Sequence, residues 1–198
     1  MWKIGLTGSI ATGKSTVLKA FADLGVPVFS SDDAVHELYA GEAAPAVEGL
    51  FPGVTHNGVV DRAALSQRLV GHPDKLKELE ALVHPLVRAR IGRFLAEAQS
   101  TGAALAVVDI PLLFEGGFDY GLDRVAVTMA EPATYRKRAL ARPGMSVEKL
   151  EAILARQMPQ DEKRKHADYI LYTEGPLQKT REAVRALVEA LRATPKGS

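Results

Sequence analysis

The chain reads as an α/β fold built on a parallel sheet. Three observations carry that expectation. Short apolar runs alternate with longer, charge-rich amphipathic segments along the whole sequence. Residues 104–110 (ALAVVDI) form an almost wholly apolar run, as suits a strand covered on both faces at the centre of a parallel sheet. The first apolar run feeds a glycine-rich loop and then a helical pattern, the opening of a β–loop–α unit.

Taken in order, residues 3–7 are the first strand, and residues 15–24 a helix closed by Gly25 as a C-cap. Residues 26–30 are the second strand. The Ala- and charge-rich section from about 32 to 100 is far longer than one crossover needs, so part of it is expected to be an insertion at the carboxyl edge of the sheet. Within it, residues 51–60 (FPGVTHNGVV) are a turn-rich interruption. Residues 74–83 and 86–98 read as two helices, with His84-Pro85 at the start of the second. Residues 104–110, 124–129 (RVAVTM) and 168–172 (DYILY) supply three more strands. A second helical excursion covers about 132–166. Residues 176–193 close the chain as a helix with Leu177, Val184, Leu187, Val188 and Leu191 on one stripe. Residues 194–198 are expected to fray.

Composition narrows the function classes. With 198 residues, 46% of them hydrophobic, the chain can bury roughly 70% of its unfolded surface without staples. Lys and Arg number 25 against 24 Asp and Glu, so no global field draws the protein to nucleic acid or an anionic membrane. The absence of Cys excludes disulfides, thiolate metal sites and Cys nucleophiles. A strand-like run starts almost at Met1, and the longest apolar stretch, 102–114, is broken by Asp109 and Pro111. Neither a signal peptide nor a transmembrane helix is expected, which points to the cytoplasm. Nothing in the chain calls for an obligatory protein partner.

Gly8-Ser9-Ile10-Ala11-Thr12-Gly13-Lys14-Ser15 matches G-x-x-x-x-G-K-[ST], the phosphate-binding P-loop, between a strand and a helix as that motif requires. The glycines let backbone N–H groups of Gly8, Ala11, Thr12 and Gly13 turn towards phosphate oxygens, and the helix start adds its positive dipole end. Lys14 can reach the β- and γ-phosphates, the Ser15 hydroxyl can ligate Mg²⁺, and Thr16 can reach the α-phosphate. The motif implies bound ATP or another nucleoside triphosphate with Mg²⁺, and leaves the fate of the phosphate open.

Carboxylates follow two of the strands, where ligands of open α/β sheets bind. Ser30-Ser31-Asp32-Asp33 succeeds the second strand. Asp32 there is either a base for an acceptor hydroxyl or an N-cap of the next helix. Asp109, ending the third strand, holds the place of a Walker-B carboxylate aimed at Mg²⁺, and Glu115 is a further candidate for the acceptor or metal side. Arg136, Arg138 and Arg142 fall on a helix ended by Pro143-Gly144; Arg138 and Arg142 share a face. They are either lid arginines facing a transferring phosphoryl or a solvated basic surface. Lys163-Arg164-Lys165 reads as solvated surface, and the five histidines show no metal spacing.

Together the segments TGSIATGKST, SSD, LVHPL (82–86), VDIPLLFE (108–115), R-x-x-x-R, Gln157 and Ala167-Asp168 resemble the dephospho-CoA kinase family from about residue 4 to residue 174. The resemblance implies a five-stranded parallel P-loop core, residues 1–31, 101–131 and 167–198. It also implies an acceptor-side helical insertion between strands two and three, about 32–100, and a lid between strands four and five, about 132–166. It implies transfer of the γ-phosphoryl of ATP to the ribose 3′-hydroxyl of dephospho-CoA, the final step of coenzyme A synthesis. Asp32 matches the family's catalytic base, and Lys14, Arg138 and Arg142 its phosphate-stabilising residues; Lys163 matches a recurrent basic position. The chain departs from the pattern at Ser30, where the family usually has Asp, and at Thr173, where it usually has Asn. Other P-loop small-molecule kinases, for shikimate or a nucleoside monophosphate, are the rival enzymes. A nucleotide-dependent switch is the non-enzymatic rival, although no guanine-reading N-K-x-D is present.

Overall fold

The computed structural model describes residues 1–194 and 196. Seven strands and nine helices follow along these residues: β1 (Trp2–Gly8), α1 (Lys14–Asp23), β2 (Val28–Ser30), α2 (Ser31–Tyr39), α3 (Ala44–Leu50), β3 (Thr55–His56), β4 (Val59–Val60), α4 (Arg62–Leu69), α5 (Pro73–Ser100), β5 (Leu105–Asp109), β6 (Arg124–Met129), α6 (Pro132–Leu140), α7 (Val147–Arg156), α8 (Gln160–Lys165), β7 (Tyr169–Tyr172) and α9 (Leu177–Ala193). They group into two compact units. The first is Met1–Phe29 with Leu95–Ser198, and the second is Ser30–Phe94. Among the described residues no helix is long and apolar enough to cross a membrane.

A five-stranded sheet in the order β2-β5-β1-β6-β7 forms the frame of the first unit. The β1–β5, β1–β6 and β6–β7 pairings are parallel, so these strands deliver their carboxyl ends to one edge. The register makes this concrete: Leu6 lies beside Asp109, Gly8 beside Thr128, and Met129 beside Tyr172. All five residues of β5 are buried, which explains its unbroken apolar run. On one face the sheet residues Ile4, Leu6, Val107 and Ala126 pack against Val17 and Phe21 of α1 and Val184, Leu187, Val188 and Leu191 of α9. Those four lie on the stripe that the sequence spacing predicts, but Leu177, expected on it, is exposed in the first turn of α9. Gly25, with φ +72°, takes the left-handed place after α1, two residues past Asp23. A smaller cluster joins Ala11 of the glycine-rich loop to Ala139 of α6 and Leu150 of α7.

The second unit is helical apart from the β3–β4 hairpin, which occupies the turn-rich interruption; Asn57 and Gly58 sit at its tip with positive φ. Here the structure corrects one expectation. The two helices foreseen on either side of His84-Pro85 are one 28-residue helix, α5, with Pro85 inside it. Leu79, Val83, Val87, Ile91, Leu95 and Ala98 are all buried at intervals of three or four. That stripe runs through the proline without changing phase, so packing outweighs the one hydrogen bond that a prolyl nitrogen forgoes. Of the tail expected to fray, residues 195, 197 and 198 lie outside the described residues. Thr194 accepts from Trp2 Nε1 at 2.8 Å, and Lys196 pairs with Asp123 at 2.6 Å.

Candidate active site

The glycine-rich loop leaves β1 at Gly8 and enters α1 at Lys14. Two left-handed residues shape it, Ala11 (φ +58°) and Gly13 (φ +86°). Such alternation of backbone hand turns successive N–H groups inward into an anion-binding nest. The loop is braced from below by hydroxyls. Thr12 Oγ1 lies 2.8 Å from both Ser9 O and Thr128 Oγ1, in a fully buried position. These hydroxyls fix the identity of Gly8: a Cβ there would stand 2.1 Å from Thr128 Oγ1 and 2.7 Å from Thr12 Oγ1. Gly13 is held to glycine twice, by its φ and by Thr173, whose side-chain atoms would lie 2.9 Å from an added Cβ.

Lys14 and Asp109 come together at this edge. Lys14 Nζ stands 2.6 and 2.9 Å from the two Asp109 oxygens, with both side chains largely buried. Because β1 and β5 are neighbours in the sheet, a lysine just past one strand meets a carboxylate at the end of the other. Ser15 and Thr16 open the first turn of α1 and are exposed. The donor set suits Mg²⁺: a serine hydroxyl and a carboxylate are hard oxygen ligands. No group of three or more His, Asp or Glu able to hold a metal occurs among the described residues.

The arginines separate. Arg138, on α6, donates from Nη1 to Thr173 Oγ1 (3.1 Å) and from Nη2 to Thr173 O (2.8 Å). Arg142 lies beyond the C-cap Ala141 and is exposed. Arg136 forms an ion pair with Glu151 of α7, so of the three it is the structural one. Gln157, after α7, accepts from the Ile10 N–H of the loop at 2.9 Å.

The second unit carries Asp32 in the first turn of α2. Its two sequence-level readings are now distinguishable. The N-cap is Ser30, whose hydroxyl accepts from the Asp33 N–H at 3.1 Å. The exposed Asp32 carboxylate is not the cap. Ser30, where the family usually has Asp, serves here as the N-cap of α2.

One reading of a single residue is corrected. Lys163 is fully buried rather than solvated, while Arg164 and Lys165 beside it are exposed. Its Nζ donates to Glu115 Oε1 at 2.7 Å, and the same oxygen accepts from the Met158 N–H at 2.7 Å. Glu115 is thus tied to α8 through Lys163. Burial alone would raise its carboxyl, but the hydrogen bond from Lys163 and those from backbone amides outweigh that and hold it below the usual glutamate range. Thr128, Gln157 and Thr173 had no role assigned from sequence; no local spacing marks a contact made across 100 residues or more.

The chain is similar to known proteins over nearly its whole length. Residues 2–179 match the family model described as Dephospho-CoA kinase. A dephospho-CoA kinase of Brucella melitensis biotype 1 is 50% identical over 192 residues, covering 97% of this chain and 96% of its own. A crystal structure of a Thermus thermophilus protein is 37% identical with a TM-score of 0.78, covering 96% and 97%. A dephospho-CoA kinase from Campylobacter jejuni is 26% identical with a TM-score of 0.68, covering 96% of each chain.

Proposed function

The chain belongs to the dephospho-CoA kinase family, and from that premise we propose how its own residues move the γ-phosphoryl of ATP to the 3′-hydroxyl of dephospho-CoA. The observation that carries the reading is the meeting of Lys14 and Asp109 beside the nest of loop amides. Loop N–H groups from Gly8 to Thr16 and the end of α1 bind the phosphates. Lys14 moves from the carboxylate to the β- and γ-phosphates. Ser15 and Asp109 would hold Mg²⁺, which would offset charge on the phosphate oxygens. Asp32 accepts the proton of the 3′-hydroxyl as its oxygen bonds to the γ-phosphorus and the bond to the β-phosphate oxygen breaks, releasing ADP. Arg138 and Arg142 offset charge on the transferring group.

Residues about 32–100 are the acceptor side in this reading, and about 132–166 the lid that excludes water. The test is ADP release with ATP, Mg²⁺ and one acceptor at a time: dephospho-CoA, shikimate, AMP, CMP or buffer. Selective turnover with dephospho-CoA, abolished by chelating the metal, is expected. Turnover only with a nucleoside monophosphate, or equal ADP release in buffer, overturns the reading.

A further inference from the structure

Thr173, the residue after β7, is bonded to three separate parts of the site. Its N–H donates to Met129 O at the end of β6 (3.1 Å). Its hydroxyl donates to Thr12 O within the phosphate loop (2.8 Å), and accepts from Arg138 Nη1. Its carbonyl accepts from Arg138 Nη2. A hydroxyl has one proton to give and two lone pairs to receive with, so both side-chain bonds coexist. The residue is 6% exposed, which makes each of these groups costly to leave unpaired.

The packing is as specific as the bonding. Thr173 Cβ, Cγ2 and Oγ1 occupy the space a side chain at position 13 would need, each 2.9 Å from a Cβ placed on Gly13, at the corner where the loop turns into α1. Two donors of a planar, rigid guanidinium are committed to one residue, which fixes the plane of Arg138 and the direction of its remaining N–H groups. Among the described residues the bonds to Thr173 come from Arg138 and not from Arg142, which lies past the end of the same helix. The two arginines therefore differ in kind: one is aligned in advance, and the other depends on the position of the segment that follows α6.

We propose that Thr173 is a positioning residue for phosphoryl transfer: through one hydroxyl it locks the Arg138 guanidinium to the Thr12–Gly13 corner of the phosphate loop. This rests on the reading that Arg138 faces the transferring phosphoryl. Pre-alignment of that kind lowers the cost of reaching the transition state, so its loss falls on kcat more than on the KM for ATP.

The experiment separates the hydroxyl from the packing. Thr173→Val keeps the branched shape and removes both side-chain bonds, while Thr173→Ser keeps the hydroxyl and removes the methyl on Gly13. ADP release with ATP and dephospho-CoA is measured for both, for Arg138→Ala, and for Thr173→Val with Arg138→Ala, beside melting curves. Expected is a fall in kcat of about tenfold for Thr173→Val with a KM change under about threefold. Thr173→Ser is expected to retain most of kcat, and the valine effect to shrink to about twofold when Arg138 is already Ala. Wild-type kcat in Thr173→Val overturns the proposal, as does a serine variant equally impaired, or an undiminished valine effect without Arg138. Should the valine variant not fold, Thr173→Ser against Thr173→Ala isolates the same hydroxyl. An Arg138→Ala enzyme with full kcat overturns the role of Arg138, and this proposal with it; an impaired Arg138→Ala beside a silent Thr173→Val overturns this proposal alone.

Discussion

Replacing Lys163 with Met should destabilise the protein far more than an ordinary surface lysine would. Lys163 is fully buried, and the Glu115 side chain is 15% exposed. Glu115 Oε1 holds both the ammonium and the Met158 amide, while Oε2 is buried with no hydrogen bond. Methionine fills the volume of the stem but leaves the carboxylate without its cation. Breaking a buried pair in this way costs about 3–5 kcal/mol. At roughly 2–4 °C per kcal/mol for a chain of this size, the melting temperature should fall by about 6–20 °C. Joining Glu115→Gln to Lys163→Met removes the stranded charge and should recover much of that loss. The sign of the pH dependence follows from the lowered Glu115 pKa. The stabilisation it contributes is full above the ordinary glutamate range and is lost as pH falls through the lowered folded value. In Lys163→Met, burial is no longer opposed by the ammonium, so the carboxyl protonates at higher pH and the stranded charge disappears. The gap between wild type and variant should then be widest near neutrality and narrow towards pH 4.5. Circular-dichroism melts at both pH values measure it. A loss under about 2 °C near neutrality, or a double variant as unstable as the single one, refutes the reasoning.

Asp32→Asn should lower kcat by roughly 10²–10⁴ with ATP affinity retained, since the amide keeps the shape but takes no proton; turnover near wild type would remove Asp32 as the base. Lys14→Ala should reduce turnover severely in the same ADP-release assay, and an undiminished rate would discard the assignment of the loop to phosphate. Gly13→Ala should lose more than about 1 kcal/mol in urea unfolding together with nucleotide affinity, because a methyl at φ +86° also meets Thr173; an unchanged midpoint would show that the corner yields.

What was legible in the sequence was what is local. The phosphate loop could be read because strand, turn and helix are contiguous, and β5 because a strand buried on both faces needs no polar residue until Asp109. The closing helix could be read because Val184, Leu187, Val188 and Leu191 repeat at the helical period. The places that resisted reading depend on partners distant in the chain. Lys163 sits between charged neighbours, and nothing in QDEKRK says that one face of a six-residue helix turns inward to a glutamate 48 residues earlier. Pro85 looked like a boundary because steric preference is local, whereas the stripe that carries α5 through it is a tertiary property. Asp32 is ambiguous in the sequence because Ser31, Asp32 and Asp33 are all competent caps, whereas the geometry gives the cap to Ser30, one residue before them. Thr173 was visible as a departure from the family pattern, but its bonds to Thr12 and Arg138 span 161 and 35 residues.

The first turn of α1 has a consequence for how long the protein survives. Its N-cap, Gly13, has no side chain to offer, the turn contains no acidic residue, and among the described residues no side chain caps it. A helix capped by glycine forgoes roughly a few tenths of a kcal/mol that a serine or aspartate side chain would contribute. The anion that accepts from those amides then completes the helix as well as entering the reaction. Fold stability and substrate supply become linked: at a hundred times its dissociation constant, a nucleotide bound only by the folded chain adds about 2.7 kcal/mol. A fall in nucleotide concentration would shorten the lifetime of the enzyme as well as slow its turnover.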